Sequence, residues 1–255
     1  MKYIVADPTE NITVLVEDSV PLADRAEVTR RMFEEVPTCE QVGYITSPLS
    51  DKAYIRLEMM GGEFCGNASI STAAYHAVKN GIRPGGQLDV VMECSGVDEP
   101  FTCRIEASEN DAGETVYTGT LAMPSPVKTD HVDGHPVIFL PGIAHMILPA
   151  DRFTRRQIEN NIKDYASKYD VSAFGVLRWN ETEQFMEPCV YVKGFESVIW
   201  EHGCATGSTC LGYYRYLSAG HASTDVRQPG GTIRINIHEE RIFLTGNVKF
   251  KSPVS

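Results

Sequence analysis

Two cysteines lie in matching contexts 139 positions apart in the 255-residue chain. Cys65 precedes a Gly-Asn-Ala-Ser run, and Cys204 precedes an Ala-Thr-Gly-Ser run. Each run leads into a segment whose apolar residues recur at helical spacing. A helix N-terminus favours a thiolate, and its first N–H groups bind carboxylates. A single cysteine of this kind is by default a small buried hydrophobe, but the matched pair favours chemistry.

Two thiols that meet in one cleft predict two-base chemistry at a carbon beside a carboxylate. One thiolate would remove the α-proton, and the opposite thiol would deliver a proton to the other face. A helix terminus is expected to bring the cysteine pKa from about 8.5 towards neutrality, where general acid–base catalysis works best. The candidates for binding the substrate carboxylate are the backbone N–H groups of Gly66, Asn67, Thr206, Gly207 and Ser208.

The segments that must position these motifs are mainly short strands bounded by turn residues. The predicted strands are 12–16, 41–46, 54–60, 88–94, 101–107, 115–123, 136–140, 144–148, 174–179, 189–192, 197–200, 232–237 and 241–249. Four helices are predicted, over 22–35, from 65 to 81, over 153–169, and from 204 to 220. The two that begin at cysteines carry little charge, which indicates helices enclosed by sheet.

The chain also predicts two similar halves. Laying Cys65 on Cys204 brings Ser69 onto Ser208 and Tyr75 onto Tyr214. We therefore expect an α/β (α+β) fold of two pseudo-symmetric halves, each a curled, mainly antiparallel sheet around a central helix. The expected halves are 1–122, completed by the last strand at about 243–255, and 123–242, with the Pro-Ser-Pro run at 124–126 as linker and the active site in the cleft between them.

Composition excludes several classes of partner. A net charge of −11 argues against a nucleic-acid or anionic-membrane surface. The first residues lack the apolar core of a signal peptide, and no apolar run approaches the roughly 18 residues that span a bilayer. Seven cysteines without a Cys-x-x-Cys pair predict neither a disulfide framework nor a zinc ribbon. The expectation is a cytoplasmic protein with free thiols, no metal and a small-molecule partner.

The cysteine segments resemble the catalytic motifs of the diaminopimelate epimerase superfamily, a group of cofactor-independent amino-acid racemases and epimerases. The matching runs are 61–68 (GGEFCGNA) and 203–208 (GCATGS). Weaker similarity extends over nearly the whole chain: 11–13 resembles the family's Asn-Asp-Phe, 40–41 its Asp-Gln, and 142–145 its Gly-Asn-Pro-His. The resemblance implies a two-domain α/β fold, a thiolate and thiol pair, and no pyridoxal phosphate, metal or nucleotide.

Departures from the diaminopimelate enzymes point to one branch. Ile143 stands where they carry Asn, and the run before the second cysteine is shortened to 200–203. These features resemble the histidine racemase branch most. The resemblance implies that the side chains of Asn11, Gln41 and Glu201 contact the substrate. A basic or imidazole side chain of the substrate needs a polar partner, and the local candidates are Glu58, Glu201 and Trp200. Either glutamate could instead bind the substrate's ammonium group. His145 and His202 are expected to line the cleft.

Several alternatives stay open. The leading hypothesis is an amino-acid racemase or epimerase with Cys65 and Cys204 as acid and base, and diaminopimelate epimerase is one alternative. A catalytically idle relative that binds an amino acid is another. A thiol-dependent hydrolase is weaker, because no His–Asp or His–Asn pair can be assigned to either cysteine. The amino acid turned over, the thiol deprotonated at rest, the domain closure and the choice between monomer and homodimer are left open.

Overall fold

The computed structural model describes residues 1–251 and 254. The chain divides into two compact units, the first comprising Met1–Ala122 with Thr245–Ser255 and the second Met123–Leu244. The fold is mixed α/β, with four α-helices in the described part of the chain. The last strand serves both units, because its residues up to Leu244 belong to the second and those from Thr245 to the first.

The first unit is a closed barrel. Its strands follow one another as neighbours, and the last strand pairs with both the seventh and the first, which closes the sheet. Parallel pairing of the second strand with the third, and of the fourth with the fifth, interrupts an otherwise antiparallel order. The strands are β1 (Tyr3–Pro8), β2 (Thr13–Val16), β3 (Gln41–Thr46), β4 (Ile55–Met59), β5 (Gln87–Cys94), β6 (Phe101–Glu109), β7 (Thr115–Ala122) and the later part of β16 (Arg241–Phe250).

Two helices complete this unit. Helix α2 (Gly66–Lys79) contacts strands β1, β2 and β4 to β7 and is buried over most of its length. Its low charge fits this enclosed position. Helix α1 (Arg25–Glu35) buries Met32 against Val14, Val42 and other apolar residues of β2 and β3. Small and apolar residues thus pack α2 against the strands of the barrel. This packing fixes the position of the helix N-terminus, where Cys65 lies.

The second unit is a sheet in the order β8-β9-β10-β11-β12-β14-β15-β16, with β13 added to β12. Helix α4 (Ala205–Ala219) contacts β9 to β11, β14 and β15. Helix α3 (Arg155–Ser167) buries Ile158, Ile162 and Ala166 against β10 to β12. The strands are β8 (Lys128–Val132), β9 (His135–Leu140), β10 (Ile143–Pro149), β11 (Ala173–Asn180), β12 (Phe185–Val192), β13 (Ser197–Trp200), β14 (Ser223–Gln228), β15 (Gly231–His238) and the beginning of β16.

Every predicted helix and strand is present, although the first turn of 22–35 is a 3-10 helix (Leu22–Asp24) and β12 begins earlier than predicted. Three strands, β1, β8 and β14, were not predicted. In β14 the buried residues are Thr224, Val226 and Gln228, so only one apolar side chain marks the buried face. Strand β8 buries only Val132. Such strands lack the apolar alternation on which sequence interpretation depends. Among the described residues, no helix is long and apolar enough to cross a membrane.

Candidate active site

Cys65 is the N-cap of α2. Its sulfur accepts a hydrogen bond from the Ala68 N–H at 3.5 Å. Its carbonyl accepts from the Ser69 hydroxyl at 2.7 Å. Gly66 and Asn67, the first two residues of the helix, are buried. The N–H groups of a first helical turn have no carbonyl within the helix to bind, so this end has the donors that a carboxylate needs.

A buried amide holds the Cys65 sulfur. The thiol donates to Gln41 Oε1 at 3.2 Å. Gln41 Nε2 donates to Asn11 Oδ1 at 2.8 Å and to Thr13 Oγ1 at 2.7 Å. Because both amide hydrogens are used on that side, the oxygen must face the sulfur. The parallel pairing of Thr13 with Gln41 between β2 and β3 brings these side chains together. An amide oxygen accepts only while the sulfur carries a proton, so this contact favours the thiol.

Asn11 joins the same network to a carboxylate. Its Oδ1 also accepts from Asn67 Nδ2 at 3.0 Å, and its Nδ2 donates to Glu40 Oε2 at 2.6 Å. Asn11 and Asn67 are each only 2% exposed. The structure therefore brings Asn11, Gln41, Cys65 and Asn67 into one buried polar cluster, a set of positions that sequence reasoning singled out separately.

A second thiol supports the Cys65 backbone. The Cys94 thiol faces the Cys65 backbone N–H and the Ser69 and Ser95 hydroxyls. Burial raises the pKa of Cys94, and these hydrogen bonds lower it by less. Cys94 is the last residue of β5 and is fully buried. It is therefore a thiol that supports the start of α2.

Cys204 is the N-cap of α4 and repeats the local pattern. Its sulfur accepts from the Gly207 N–H at 3.3 Å, and its carbonyl accepts from the Ser208 hydroxyl at 2.7 Å. Its own N–H donates to Gln228 Oε1 at 2.7 Å, and Gln228 Nε2 donates to Ser208 Oγ at 2.9 Å. One expectation needs correction. The Ser208 N–H donates to the Cys204 carbonyl at 2.9 Å, which closes the first helical turn and leaves it unavailable to a substrate carboxylate.

The electrostatics of Cys204 differ from the expectation of a pKa near neutrality. Burial raises the pKa of this thiol well above its ordinary value, because the side chain is only 4% exposed. The Glu201 carboxylate raises this pKa further, through its charge and through a hydrogen bond to the thiol. The Thr206 hydroxyl, 3.6 Å from the sulfur, and the Gly207 N–H lower it by less. Glu201 therefore does contact this cysteine, whereas the helix terminus does not outweigh desolvation.

The two histidines expected to line the cleft occupy different surroundings. His145 is completely buried, and its Nε2 lies 2.9 Å from Thr206 Oγ1. Burial lowers the pKa of His145 to about 3, so the ring is neutral. His202 is exposed, and its carbonyl accepts from the Gly230 N–H at 2.8 Å. His145 is thus a neighbour of Thr206 inside the second unit and not a solvated residue.

Two candidates for binding a basic substrate have other partners. The Glu58 carboxylate is paired with Arg25 and, at 3.0 Å, with Arg56. Burial raises the pKa of Glu58, but the hydrogen bonds and charges of the two arginines outweigh it and lower the pKa.

Trp200 Nε1 donates to Glu159 at 2.6 Å, and the Arg155 guanidinium lies over the Trp200 ring at 4.6 Å. Of the three residues proposed for a basic side chain, Glu201 is the one in contact with a candidate catalytic thiol.

Three supporting residues were not singled out by sequence reasoning: Thr13, Cys94 and Gln228. Gln228 lies 24 positions after Cys204, on a strand that was not predicted, so no local pattern marked it. Cys94 lies in the predicted strand 88–94, and nothing in its local sequence marks it as part of a site. All seven cysteines are free thiols. Within the described ranges, no three His, Cys, Asp or Glu side chains are arranged to hold a metal ion.

Comparison with known proteins identifies a family. The family model described as the histidine racemase CntK N-terminal domain matches residues 1–254. A curated histidine racemase of Fusobacterium nucleatum subsp. nucleatum is 31% identical over 98% of this chain and 94% of its own length.

Solved structures share the fold. A Pseudomonas aeruginosa protein described as a predicted epimerase superposes with a TM-score of 0.68 at 10% identity, over 98% of this chain and 96% of its own. A PhzF-family phenazine biosynthesis protein of Bacillus anthracis gives 0.64 at 12% identity, over 99% and 98%. At such identities these two likenesses establish the mixed α/β fold with its barrel core.

Proposed function

Because the chain belongs to the family of the histidine racemase CntK N-terminal domain and is therefore an isomerase of the racemase class, we propose that it racemises histidine with Cys65 and Cys204 as the two acid/base groups. The observation that carries the mechanism is the repeated motif. In each unit a cysteine caps a helix whose first two turns are buried, accepts an N–H from the residue three positions on, and is followed by a serine that binds its carbonyl. The substrate is proposed from the names of the relatives.

The proposed reaction moves one proton at a time. The thiolate of one cysteine takes the α-proton and becomes a thiol. The electron pair left at Cα is delocalised into the substrate carboxylate, whose charge the helix N-termini would stabilise. The thiol of the other cysteine then protonates the opposite face and becomes a thiolate. The reaction inverts Cα and exchanges the roles of the two sulfurs, so the reverse turnover needs no resetting.

The proposal assigns the remaining site residues by what each contacts. The N–H groups of Gly66, Asn67 and Thr206 bind the α-carboxylate. The Gly207 N–H donates to the Cys204 sulfur instead. Asn11 and Gln41 hold the Cys65 thiol in place, as their hydrogen bonds support. Glu201, which is hydrogen-bonded to Cys204, receives the ammonium or imidazole group or exchanges a proton with that thiol.

The wider architecture belongs to the same proposal. Each unit packs one helix that begins at a cysteine, and a second helix, against its sheet; α2 is buried over most of its length and α4 over its first half. This supports the proposal of two pseudo-symmetric halves, roughly 1–122 with the last strand and 123–242. Both thiols must remain reduced, so the proposal includes a cytoplasmic setting. The mechanism uses no cofactor, because the two thiols supply acid and base. Monomer and homodimer are both compatible with it.

One observation favours an alternative. The buried and protonated Cys204 would suit a relative that binds an amino acid without turning it over. In that case the motifs would serve carboxylate recognition alone. A substrate panel separates this reading from racemisation, and inclusion of diaminopimelate tests the remaining epimerase alternative.

The test is deuterium incorporation at Cα together with chiral chromatography. The purified chain is incubated in deuterated water with a panel of L-amino acids that includes histidine and diaminopimelate. We expect exchange and racemisation of histidine, unchanged by prior treatment with EDTA and hydroxylamine. Cys65→Ser and Cys204→Ser should each lose racemisation by at least about a hundredfold, as for removal of a general acid or base. Loss of activity after hydroxylamine would contradict cofactor independence.

The matched controls are buried cysteines outside the proposed site, one from each unit. Cys103→Ala and Cys210→Ala each remove a fully buried thiol. Both variants should retain racemisation. If either serine variant keeps the wild-type exchange and racemisation, the two-thiol assignment is wrong. If no amino acid of the panel exchanges, the binding alternative replaces the enzyme proposal.

A further inference from the structure

A buried chain of polar atoms leads to the Cys204 sulfur. His145 Nε2 lies 2.9 Å from Thr206 Oγ1, and that oxygen lies 3.6 Å from Cys204 Sγ. His145 is 0% exposed, Thr206 7% and Cys204 4%. The pairing of β10 with β11 sets His145 opposite Gly175, and a Cβ at position 175 would lie 2.1 Å from His145 Nδ1. The glycine thus makes room for the ring.

The unpaired edge of the ring determines its tautomer. Nδ1 has no hydrogen-bond partner among the described residues. A neutral imidazole carries one hydrogen, on Nδ1 or on Nε2. With the hydrogen on Nδ1, a buried donor would be unsatisfied, which costs about 1–3 kcal/mol. With the hydrogen on Nε2, the ring donates to Thr206 Oγ1 and only a lone pair faces Gly175. The structure therefore favours the Nε2–H tautomer.

This tautomer orients the threonine hydroxyl. An Nε2–H bond occupies one lone pair of Thr206 Oγ1, so the hydroxyl hydrogen must point elsewhere. Among the contacts of Thr206 Oγ1 seen in the described residues, the Cys204 sulfur at 3.6 Å can accept this hydrogen. We propose that His145 is a positioning residue, which directs the Thr206 hydroxyl at Cys204 and so stabilises the thiolate of that cysteine. The use of this thiolate in catalysis rests on the proposed function, but its stabilisation does not.

The proposed chain of hydrogen bonds from His145 through Thr206 opposes two influences that raise the pKa of Cys204. Desolvation and the Glu201 carboxylate disfavour the thiolate, whereas the Gly207 N–H and the Thr206 hydroxyl favour it. A free hydroxyl would divide its time among several orientations. Fixing it by a neutral donor that does not titrate near neutral pH keeps the contribution of Thr206 constant. His145 therefore acts here without gaining or losing a proton.

The main test is the alkylation of Cys204 in the full chain, with iodoacetamide as the probe and fragment-ion mass spectrometry as the readout. Rates are measured from about pH 7 to 10, which brackets the ordinary thiol range. Thr206→Val and His145→Leu should each slow alkylation of Cys204 about tenfold at a given pH, the size expected for one hydrogen bond to a charged group. The double variant should be no slower than either single one, because both remove the same interaction.

Two controls make the comparison specific. Thr209→Val removes another buried hydroxyl of α4, which donates to the Ala205 carbonyl at 2.9 Å, and should leave the Cys204 profile unchanged. His145→Gln restores an amide N–H near the place of Nε2 and should recover most of the rate. A wild-type rate in His145→Leu, or single effects that multiply in the double variant, would overturn the proposal.

A measurement on the wild-type protein avoids variants that fail to fold. Nitrogen-15 NMR distinguishes the two imidazole tautomers, and we expect the Nε2–H form for His145. The Nδ1–H form would overturn the inference. Neither readout requires turnover. If both behave as expected while no amino acid is racemised, the proposed function fails alone. If histidine is racemised but the tautomer is Nδ1–H, this inference fails alone.

Discussion

The two cysteine sites share a local design and differ in what the rest of each unit brings to it. Both sulfurs accept an N–H from three residues on, and both carbonyls accept a serine hydroxyl at 2.7 Å. The Cys65 thiol then meets the amide oxygen of Gln41 at 3.2 Å, whereas the Cys204 thiol meets the carboxylate of Glu201 and the hydroxyl of Thr206. The same helix start therefore serves two electrostatic environments.

The backbone support differs as well. The Cys204 N–H donates to Gln228 Oε1, and the Cys65 N–H faces the Cys94 sulfur, which is a weaker acceptor. Around Cys65 the strong hydrogen bonds connect side chains, through Asn11 and Gln41. Around Cys204, Gln228 bonds both the Cys204 N–H and the Ser208 hydroxyl, and His145 bonds the Thr206 hydroxyl. Beyond the helix end that both share, the Cys65 thiol is positioned by a network of amide side chains, whereas the surroundings of Cys204 are fixed by Gln228 and the buried His145 ring.

The largest expected effect tests the network on the Cys65 side. Asn11→Ala removes three hydrogen bonds and leaves Glu40, Gln41 and Asn67 without this partner. The free energy of unfolding should fall by about 3–4 kcal/mol, since each unsatisfied buried group costs about 1–3 kcal/mol. Urea unfolding measures it. Thr72→Val is the control, because it removes a buried hydroxyl that has no partner in the described part of the chain. An unchanged urea midpoint for Asn11→Ala would show that the network contributes no stability.

The next effect tests the buried ring on the Cys204 side. The pKa of His145 is lowered by burial from 6.5 to about 3. Below pH 6.5 the unfolded chain therefore binds a proton that the folded protein does not, and stability falls as the pH drops. Between pH 6.5 and 4.5 this amounts to about 2.3 kcal/mol. In His145→Gln that part of the loss should be absent, whereas the exposed His131→Gln should follow the wild type. Equal pH dependence of all three proteins would contradict a buried neutral ring.

A smaller effect compares the thiols directly. Cys65 is partly exposed, whereas Cys204 is 4% exposed and burial raises its pKa. We expect iodoacetamide to modify Cys65 at least about tenfold faster than Cys204 near neutral pH, since reactivity follows access and thiolate content. Cys210, which is fully buried, should remain unmodified as an internal control. Faster modification of Cys204 would reverse the comparison and make it the thiolate of the resting protein.

The smallest effect concerns Glu58. Paired with Arg25 and Arg56 and partly exposed, it should contribute less than about 1 kcal/mol to stability. Glu58→Gln should lower stability slightly, and less so in 1 M salt, without changing the KM for histidine, the proposed substrate. Asp225→Asn, which breaks the exposed pair with Arg234, is the matched control in the second unit. A tenfold rise in KM for Glu58→Gln alone would return Glu58 to the substrate site.

Much of the fold could be predicted because local patterns mark it. The apolar stripes of α2 and α4, and the β-branched runs of strands such as β3, are properties of neighbouring residues. Strand β14 was not predicted, because its buried face carries the polar residues Thr224 and Gln228. A polar residue on a buried face has no local signature, since its partner comes from elsewhere in the chain.

The sequence by itself determined the candidate thiols, the helices that begin at them and the small and polar residues that follow each cysteine. These follow from capping, periodicity and small residues, which act over a few positions. Tertiary structure decided which polar and charged groups meet each thiol. Gln41 contacts the Cys65 sulfur, and Glu201 contacts the Cys204 sulfur. The buried His145 contacts Thr206, and Glu58 pairs with two arginines. Desolvation and charge depend on which distant residues meet, and that is set by strand pairing.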